Sequence, residues 1–328
     1  MANARQSRLT EARALIVASR YEEAMRLYGQ MSLQEPMNSP LFQEMLSVRA
    51  HLISIKAAAE SMKLQHELNV LKGKVRVESL LRDTRYDDPR RLERFGHKVY
   101  SQNDEDGIIA EIFRRIGPQN RTFFEFGVED GIECNTHLLL HAGWKGAWAE
   151  ANHDQAQSVR NRFKPAIDCG QLVLIERLVL KENINQVIQG LALPEDVDLI
   201  SIDIDFNDYW VFQALEKVRP RVVVVEYNGK FPPPLRRVVP YNPDRVWDGT
   251  DYHGCSLQSL ADLAAAKGYN LVGCNITGVN AFFVRTELCQ DRFPIPATPD
   301  NLYQPPRYEL FQMGAFEVGH PASFGPWL

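Results

Sequence analysis

The chain has 328 residues, 37 basic and 42 acidic side chains, a net charge of −5 and 45% hydrophobic residues, the profile of a globular protein of one large or two moderate domains. That balance excludes a collagen, a disordered tail and a disulfide-stapled miniprotein, and it supplies no bulk basic face for nucleic acid. No apolar run is long enough to span a membrane, the five cysteines contain no CxxC that would suggest a zinc ribbon, and residues 1–20 lack the apolar core of a leader, so a cytoplasmic protein is expected.

From Ser7 to about Leu81 the sequence is rich in Ala, Leu, Met, Glu, Arg and Lys and has hardly a strand signal, which predicts helices. Ala24, Tyr28 and Pro36 are spaced as in the second half of a tetratricopeptide unit, but a single unit has no neighbour to stack on, so a helical hairpin is the simpler reading. Leu41, Met45, Val48, Leu52, Ile55, Ala59 and Met62 then alternate steps of four and three, and after a phase break Leu64, Leu68, Leu71 and Val75 continue the stripe. A stripe of this kind packs on the chain's own helices or pairs with a second copy, and residues 1–82 are read as an association region giving a homo-oligomer. The charge-rich segment 83–98, with a proline and no apolar period, is read as a linker.

From residue 99 to 328 the pattern changes to short continuous apolar runs, RTFFEFG (121–127), GAWAE (146–150), QLVLIE (171–176), VDLISIDID (197–205) and RVVVVEY (221–227), alternating with helical stretches. Such runs fit strands buried on both faces of a parallel sheet, with helices as the crossovers. The predicted fold is therefore a doubly wound, mostly parallel α/β sheet, preceded by the helical region. Two further runs, YNLVGCN and NAFFVRTEL, are close enough to pair antiparallel at the sheet edge.

In such a sheet ligands bind outside the carboxyl ends of the strands. The first run ends in Glu125-Phe-Gly127-Val-Glu-Asp-Gly131, whose two glycines permit a tight turn and a close ligand. The dinucleotide fingerprint GxGxxG is absent, which counts against an NAD-dependent oxidoreductase, and a carboxylate before the first glycine suits an amine-bearing ligand better than a pyrophosphate. Glu150 ends the second run, where an acid can accept both hydroxyls of a ribose. Two carboxylates and two glycines together describe a pocket for a nucleoside joined to an amino acid, as in S-adenosylmethionine.

Residues 95–228 resemble the class I S-adenosylmethionine-dependent methyltransferases, in particular the FkbM-type branch found in sugar and polysaccharide modification. The resemblance is carried by YSQNDED (100–106), FFEFGVEDGIECNT, GWKGAWAEAN and DLISIDIDFNDYW. It implies a seven-stranded sheet, Glu125, Gly127 and Gly131 at the methionine end of the cofactor, Glu150 at its ribose, and Gln102, Asp106 and Asn135 closing over it. Ser101, Asp104 and Glu105 read as helix-capping residues.

The fourth run ends in Asp203, Asp205, Asn207 and Asp208, the fifth in Glu226 and Asn228. Carboxylates on adjacent strand ends repel one another unless a cation, a proton or donors compensate. Asp203 and Asp205 are candidate catalytic residues, Asp203 touching cofactor as well. Asp203, Asp205, Glu226 and Asn228 form a candidate set for Mg²⁺ or another divalent cation, which would lower the pKa of a sugar hydroxyl. Asn207 and Asp208 can equally cap the following helix. His253, in the loop that contains the run of prolines, is a candidate general base or an ordinary loop histidine, whereas His137 and His141 lack an HExxH context and are not read as a metal pair. Phe206 stands where the resemblance implies a glycine, and its ring is expected to narrow or close the acceptor pocket. The expected function is O-methylation of a sugar, glycan or nucleotide-activated sugar. A degenerate methyltransferase fold serving as a scaffold, or a metal-dependent glycosyltransferase using Asp203 and Asp205, are the alternatives.

Overall fold

The computed structural model describes residues 2–18, 20–32, 39–191, 193–311, 320–323 and 325–328. The chain divides into two compact units, Met1–Leu71 and Lys72–Leu328.

In the first unit α1 (Ala2–Val17) and α2 (Tyr21–Ser32) form a hairpin. Ala12 and Ala24 are wholly buried and let the helices approach, while Leu9, Tyr28 and Met31 fill the space between them. Helix α3 (Pro40–Leu80) begins in this unit. The periodic residues read from the sequence divide along it: Val48 packs on the hairpin cluster, Leu52 is buried and Ile55 half-buried, whereas Ala59 and Met62 are exposed. The near end of that stripe therefore serves the chain's own core. Pro36 and the side chains of Leu41 and Met45 lie outside the described residues.

The second unit is the doubly wound α/β fold expected. Its strands are β1 (Thr122–Phe126), β2 (Lys145–Glu150), β3 (Leu172–Glu176), β4 (Leu199–Ile202), β5 (Val222–Glu226), β6 (Tyr269–Cys274) and β7 (Asn280–Arg285). They form one sheet in the order β3-β2-β1-β4-β5-β7-β6. The first five are parallel, and β7 runs antiparallel to both β5 and β6. The two last strands pair as expected, but β7 inserts between β5 and β6, so only β6 forms the edge. Its burial explains the placement, since all six β7 residues are buried.

Because successive strand residues face opposite sides, each run feeds two cores. Phe124, Ile200, Val223 and Phe283 pack beneath α8 (Ile184–Gly190), α9 (Asp208–Ala214) and α10 (Leu257–Ala266). Phe123, Trp148, Leu199 and Val222 pack beneath α4 (Glu105–Ile116) and α6 (His153–Arg162), with the short α5 (His137–His141) and α7 (Lys164–Asp168) alongside. Segment 83–98 is not a free linker. Leu92 is wholly buried in the second core, Tyr86 is buried with its hydroxyl donating to Gln304 Oε1, and Arg91 and Glu93 form a buried ion pair at 2.9 Å. Isolated plugs and buried charge pairs leave no periodic trace, which is why the segment read as a connector.

Candidate functional site

Strand order reverses between β1 and β4, and a cavity of about 560 Å³ opens there at the carboxyl ends of the parallel strands, the place such sheets offer to a ligand. After β1 the chain turns through Gly127 at φ +80°, where a Cβ would sit 1.7 Å from the Asp203 carbonyl oxygen. Glycine there lets the β1 loop lie directly on the end of β4. Gly131, also at φ +80°, lies outside the cavity wall, and a Cβ there would press on the rings of Phe163 and Trp148. Its positive φ serves the turn that follows β1.

Glu125 reaches the cavity with its oxygens engaged. Oε1 accepts the Asn135 N–H and Oε2 accepts both the N–H and the hydroxyl of Thr136. Burial still pushes this carboxyl up against those donors. Asn135 lines the cavity and donates from Nδ2 to Ser201 Oγ at 3.0 Å. Glu150, buried at the end of β2, accepts the N–H of Glu129 at 2.8 Å and of Asn152 at 2.7 Å. Asn152 in turn caps α6, so the Glu150 carboxylate is held in place by the backbone on either side of it.

Asp106 is placed differently from the expectation. Its Oδ2 gathers the N–H groups of Val99, Tyr100 and Ser101 and the Ser101 hydroxyl, and Asp106 does not line the cavity. It shapes the preceding loop, which presents Gln102 to the cavity. Asp104 makes no side-chain cap to α4. Glu105 accepts from Asn103, Asn275 and Asn280, tying α4 to the β6–β7 turn.

Strand β4 ends at Ile202, and three residues further on the chain turns through Asp205 at φ +64°. Asp203 and Asp205 line the cavity, Asp203 half-buried and Asp205 still in contact with solvent. Of the four residues read as a metal set, the structure brings Asp203 and Glu226 together, with Asp208 as third member: one oxygen from each lies within 4.8 Å of the others. Asp205 is outside this trio. Asn228 is occupied elsewhere, its Nδ2 donating to the carbonyls of Asp251 and His253 and its Oδ1 accepting from Lys230 N–H. Asp208 does help to form the turn, as Oδ1 accepts the Ile204 N–H at 2.8 Å, but its buried Oδ2 has no hydrogen-bond partner among the described residues, and neither has Glu226 Oε2.

Burial and mutual repulsion act on the whole group. Burial, then Asp205, hold Asp203 well above the usual carboxylate range, while burial, then Asp203, do the same for Glu226. Asp208 is pushed up to about 7, chiefly by burial. Asp205 is raised by burial and by Glu150, and Glu129 by burial and by Asp205.

A cover formed by residues 231–255 closes one side of the cavity. His253 is buried with Nδ1 3.8 Å from Glu226 Oε2, and burial lowers its pKa to about 4, so its ring is neutral at physiological pH. Phe206 does not block the cavity. It turns under the cover and packs with Val239, Tyr252 and Trp327. Trp247, Tyr308 and His320 also line the cavity, and Trp247 and His320 meet edge to face at 4.5 Å. The last residues strap the cover down: the backbones of Leu328 and Val238 exchange two hydrogen bonds, and Asp251 Oδ1 accepts the Ser323 N–H. His320, Tyr308 and this strap carried no sequence signal, because their partners are far away in the chain. Asp208 sat in a visible acidic cluster but resembled a helix cap.

No family model matches the chain, and no curated protein matches it. Among solved structures, a Galdieria sulphuraria protein assigned as a sarcosine dimethylglycine methyltransferase is 14% identical at a TM-score of 0.33, over 50% of this chain and 60% of that one, less than two thirds of its length. A Klebsiella pneumoniae protein assigned as an O-methyltransferase is 16% identical at a TM-score of 0.35, over 63% of this chain and 95% of that one. A SAM-dependent methyltransferase from Aquifex aeolicus is 12% identical at a TM-score of 0.32, over 64% and 95%. Among the described residues no helix is long and apolar enough to cross a membrane.

Proposed function

We propose that the chain is an S-adenosylmethionine-dependent O-methyltransferase whose acceptor is a hydroxyl of a sugar or glycan. One observation carries this reading: carboxylates from the ends of β1, β2, β4 and β5, namely Glu125, Glu150, Asp203 and Glu226, converge on one cavity at the point where strand order reverses. Burial opposes the ionisation of Glu125, Asp203 and Glu226, repulsion from neighbouring carboxylates adds to it at Asp203 and Glu226, and a cationic ligand offsets that cost. S-adenosylmethionine carries a sulfonium and an ammonium, whereas the pyrophosphate of a dinucleotide or a UDP-sugar would be repelled. When bound, it supplies an electrophilic methyl group. Glu150 accepts the ribose diol, and the Gly127 turn leaves room for the ligand against main chain. Neutral His253 takes the proton of the acceptor hydroxyl, while Trp247 and Tyr308 offer ring faces to the apolar side of a sugar.

Buried Asp208, whose Oδ2 has no hydrogen-bond partner among the described residues, together with Asp203 and Glu226 also fits a hard divalent cation, which takes oxygen ligands of this type. Bound there, Mg²⁺ would lower the pKa of an adjacent hydroxyl. The sugar itself rests on the motif resemblance. Calorimetric titration with S-adenosylmethionine, NAD⁺ and a UDP-sugar, each with and without Mg²⁺, tests the reading. Heat from S-adenosylmethionine alone among the three is expected, and binding of NAD⁺ or UDP-sugar in its place would overturn the proposal.

A further inference from the structure

Helix α3 carries a second apolar face that no helix among the described residues covers. With 3.6 residues per turn, Leu46, Ala50, Ile53, Ala57, Leu64, Leu68 and Leu71 fall in one stripe about 60° wide, opposite the side on which Val48, Leu52 and Ile55 lie. All seven are exposed, the five large ones between 41% and 65%. A run of exposed leucine and isoleucine on a soluble surface marks an association face.

We infer that this face pairs with the same face of a second copy, and that the two helices run antiparallel. The stripe reads nearly the same from either end. Leu46 and Leu71 are equidistant from the midpoint between Ala58 and Ala59, as are Ile53 and Leu64, so an antiparallel pair opposes large residue to large residue at both layers. Ala50 and Leu68, centred on Ala59 and so offset by half a residue from that midpoint, come opposite each other, small against large, as close packing favours. Charge selects the same orientation. Arg49, Lys56, Glu60 and Glu67 border one side of the stripe, and all four are exposed. Flanking residues on the same border face each other in an antiparallel pair, which sets Arg49 against Glu67 and Lys56 against Glu60, both pairs centred on Ala58, half a residue from that midpoint. In a parallel pair this border faces the other, where Arg49, Lys56 and Glu60 meet Ser54, Ser61 and Gln65 and only Glu67 gains a cation, Lys72. Within the chain Lys56 reaches Glu22 at 3.5 Å and Glu67 reaches Lys63 at 4.0 Å, exposed pairs weak enough to exchange. A two-fold pair of this kind is self-complementary and closed.

The test uses the full chain. Sedimentation equilibrium of the native protein is expected to give twice the chain mass, and the doubly substituted Ile53→Lys, Leu64→Lys protein half of that, with helix content unchanged by circular dichroism. Orientation is read by oxidative crosslinking in a Cys169→Ser background, which removes the one exposed cysteine among the five. Ile53→Cys and Leu64→Cys are expected to crosslink only when the two proteins are mixed. Self-crosslinking of each variant alone would show a parallel pair and overturn the inference, as would a monomeric native chain at all concentrations.

Discussion

Replacing Asp208 by Asn is expected to stabilise the protein at alkaline pH. The side chain is wholly buried, one oxygen accepts the Ile204 N–H, the other has no donor among the described residues, and the carboxyl lies beside those of Asp203 and Glu226. Its pKa is about 7 in the folded state against an ordinary value of 3.8. Between those two pH values the native state holds a proton that the unfolded state has released, so stability falls as pH rises through this range. At about 1.4 kcal/mol per pH unit, the part of that window between pH 5 and pH 7 is worth about 3 kcal/mol. Asparagine keeps the acceptor for Ile204 and turns an amide toward the two remaining carboxylates, as a donor with no charge to lose. Urea unfolding of both proteins at pH 5 and pH 8 measures the difference. The variant's relative stability is expected to improve by up to about 3 kcal/mol from the acid to the alkaline condition. A difference that stays constant, or moves against the variant as pH rises, would refute the idea that Asp208 is held protonated by burial and its neighbours.

Three further outcomes follow from the site. Glu150→Ala should weaken S-adenosylmethionine binding by about 1–3 kcal/mol, seen by calorimetry, and unchanged affinity would remove Glu150 from the ribose. His253→Gln should lower turnover by roughly a hundredfold or more. Because the His253 pKa is about 4, the native rate should show no limb near pH 6.5 that the variant loses; finding one would contradict the burial of the ring. Gly127→Ala should cost at least about 2 kcal/mol of stability, since the positive φ and the Asp203 carbonyl leave no place for a methyl group, and an unshifted melting temperature would show that the turn can rearrange.

The sheet was legible because each strand is an unbroken apolar run. Phe123 and Phe124, or Val222 and Val223, fill both faces at once, and nothing but a doubly covered sheet accommodates that. The strand-end acids were legible for a similar reason: Glu125, Glu150, Asp203 and Glu226 each follow such a run directly. What the pattern concealed was the partner of each polar group. Asp106 looks like a ligand residue until its carboxylate is seen gathering the backbone of residues 99–101. Asn228 stands beside Glu226 in sequence yet turns away to hold the cover, and Leu92 plugs a core that no local period announces. Residues far apart in the chain decided all three cases, and spacing alone does not encode them.

Phe206 ties the end of β4 to the cover and to the final strap. Its ring is clamped by Val239 and Tyr252 of the cover and by Trp327 of the final strap, while its backbone follows Asp205 directly. A displacement of the cover would therefore bear on the peptide next to Asp205, which lines the cavity. A smaller residue at position 206 would loosen the hinge between that wall and its roof while leaving every acid in place.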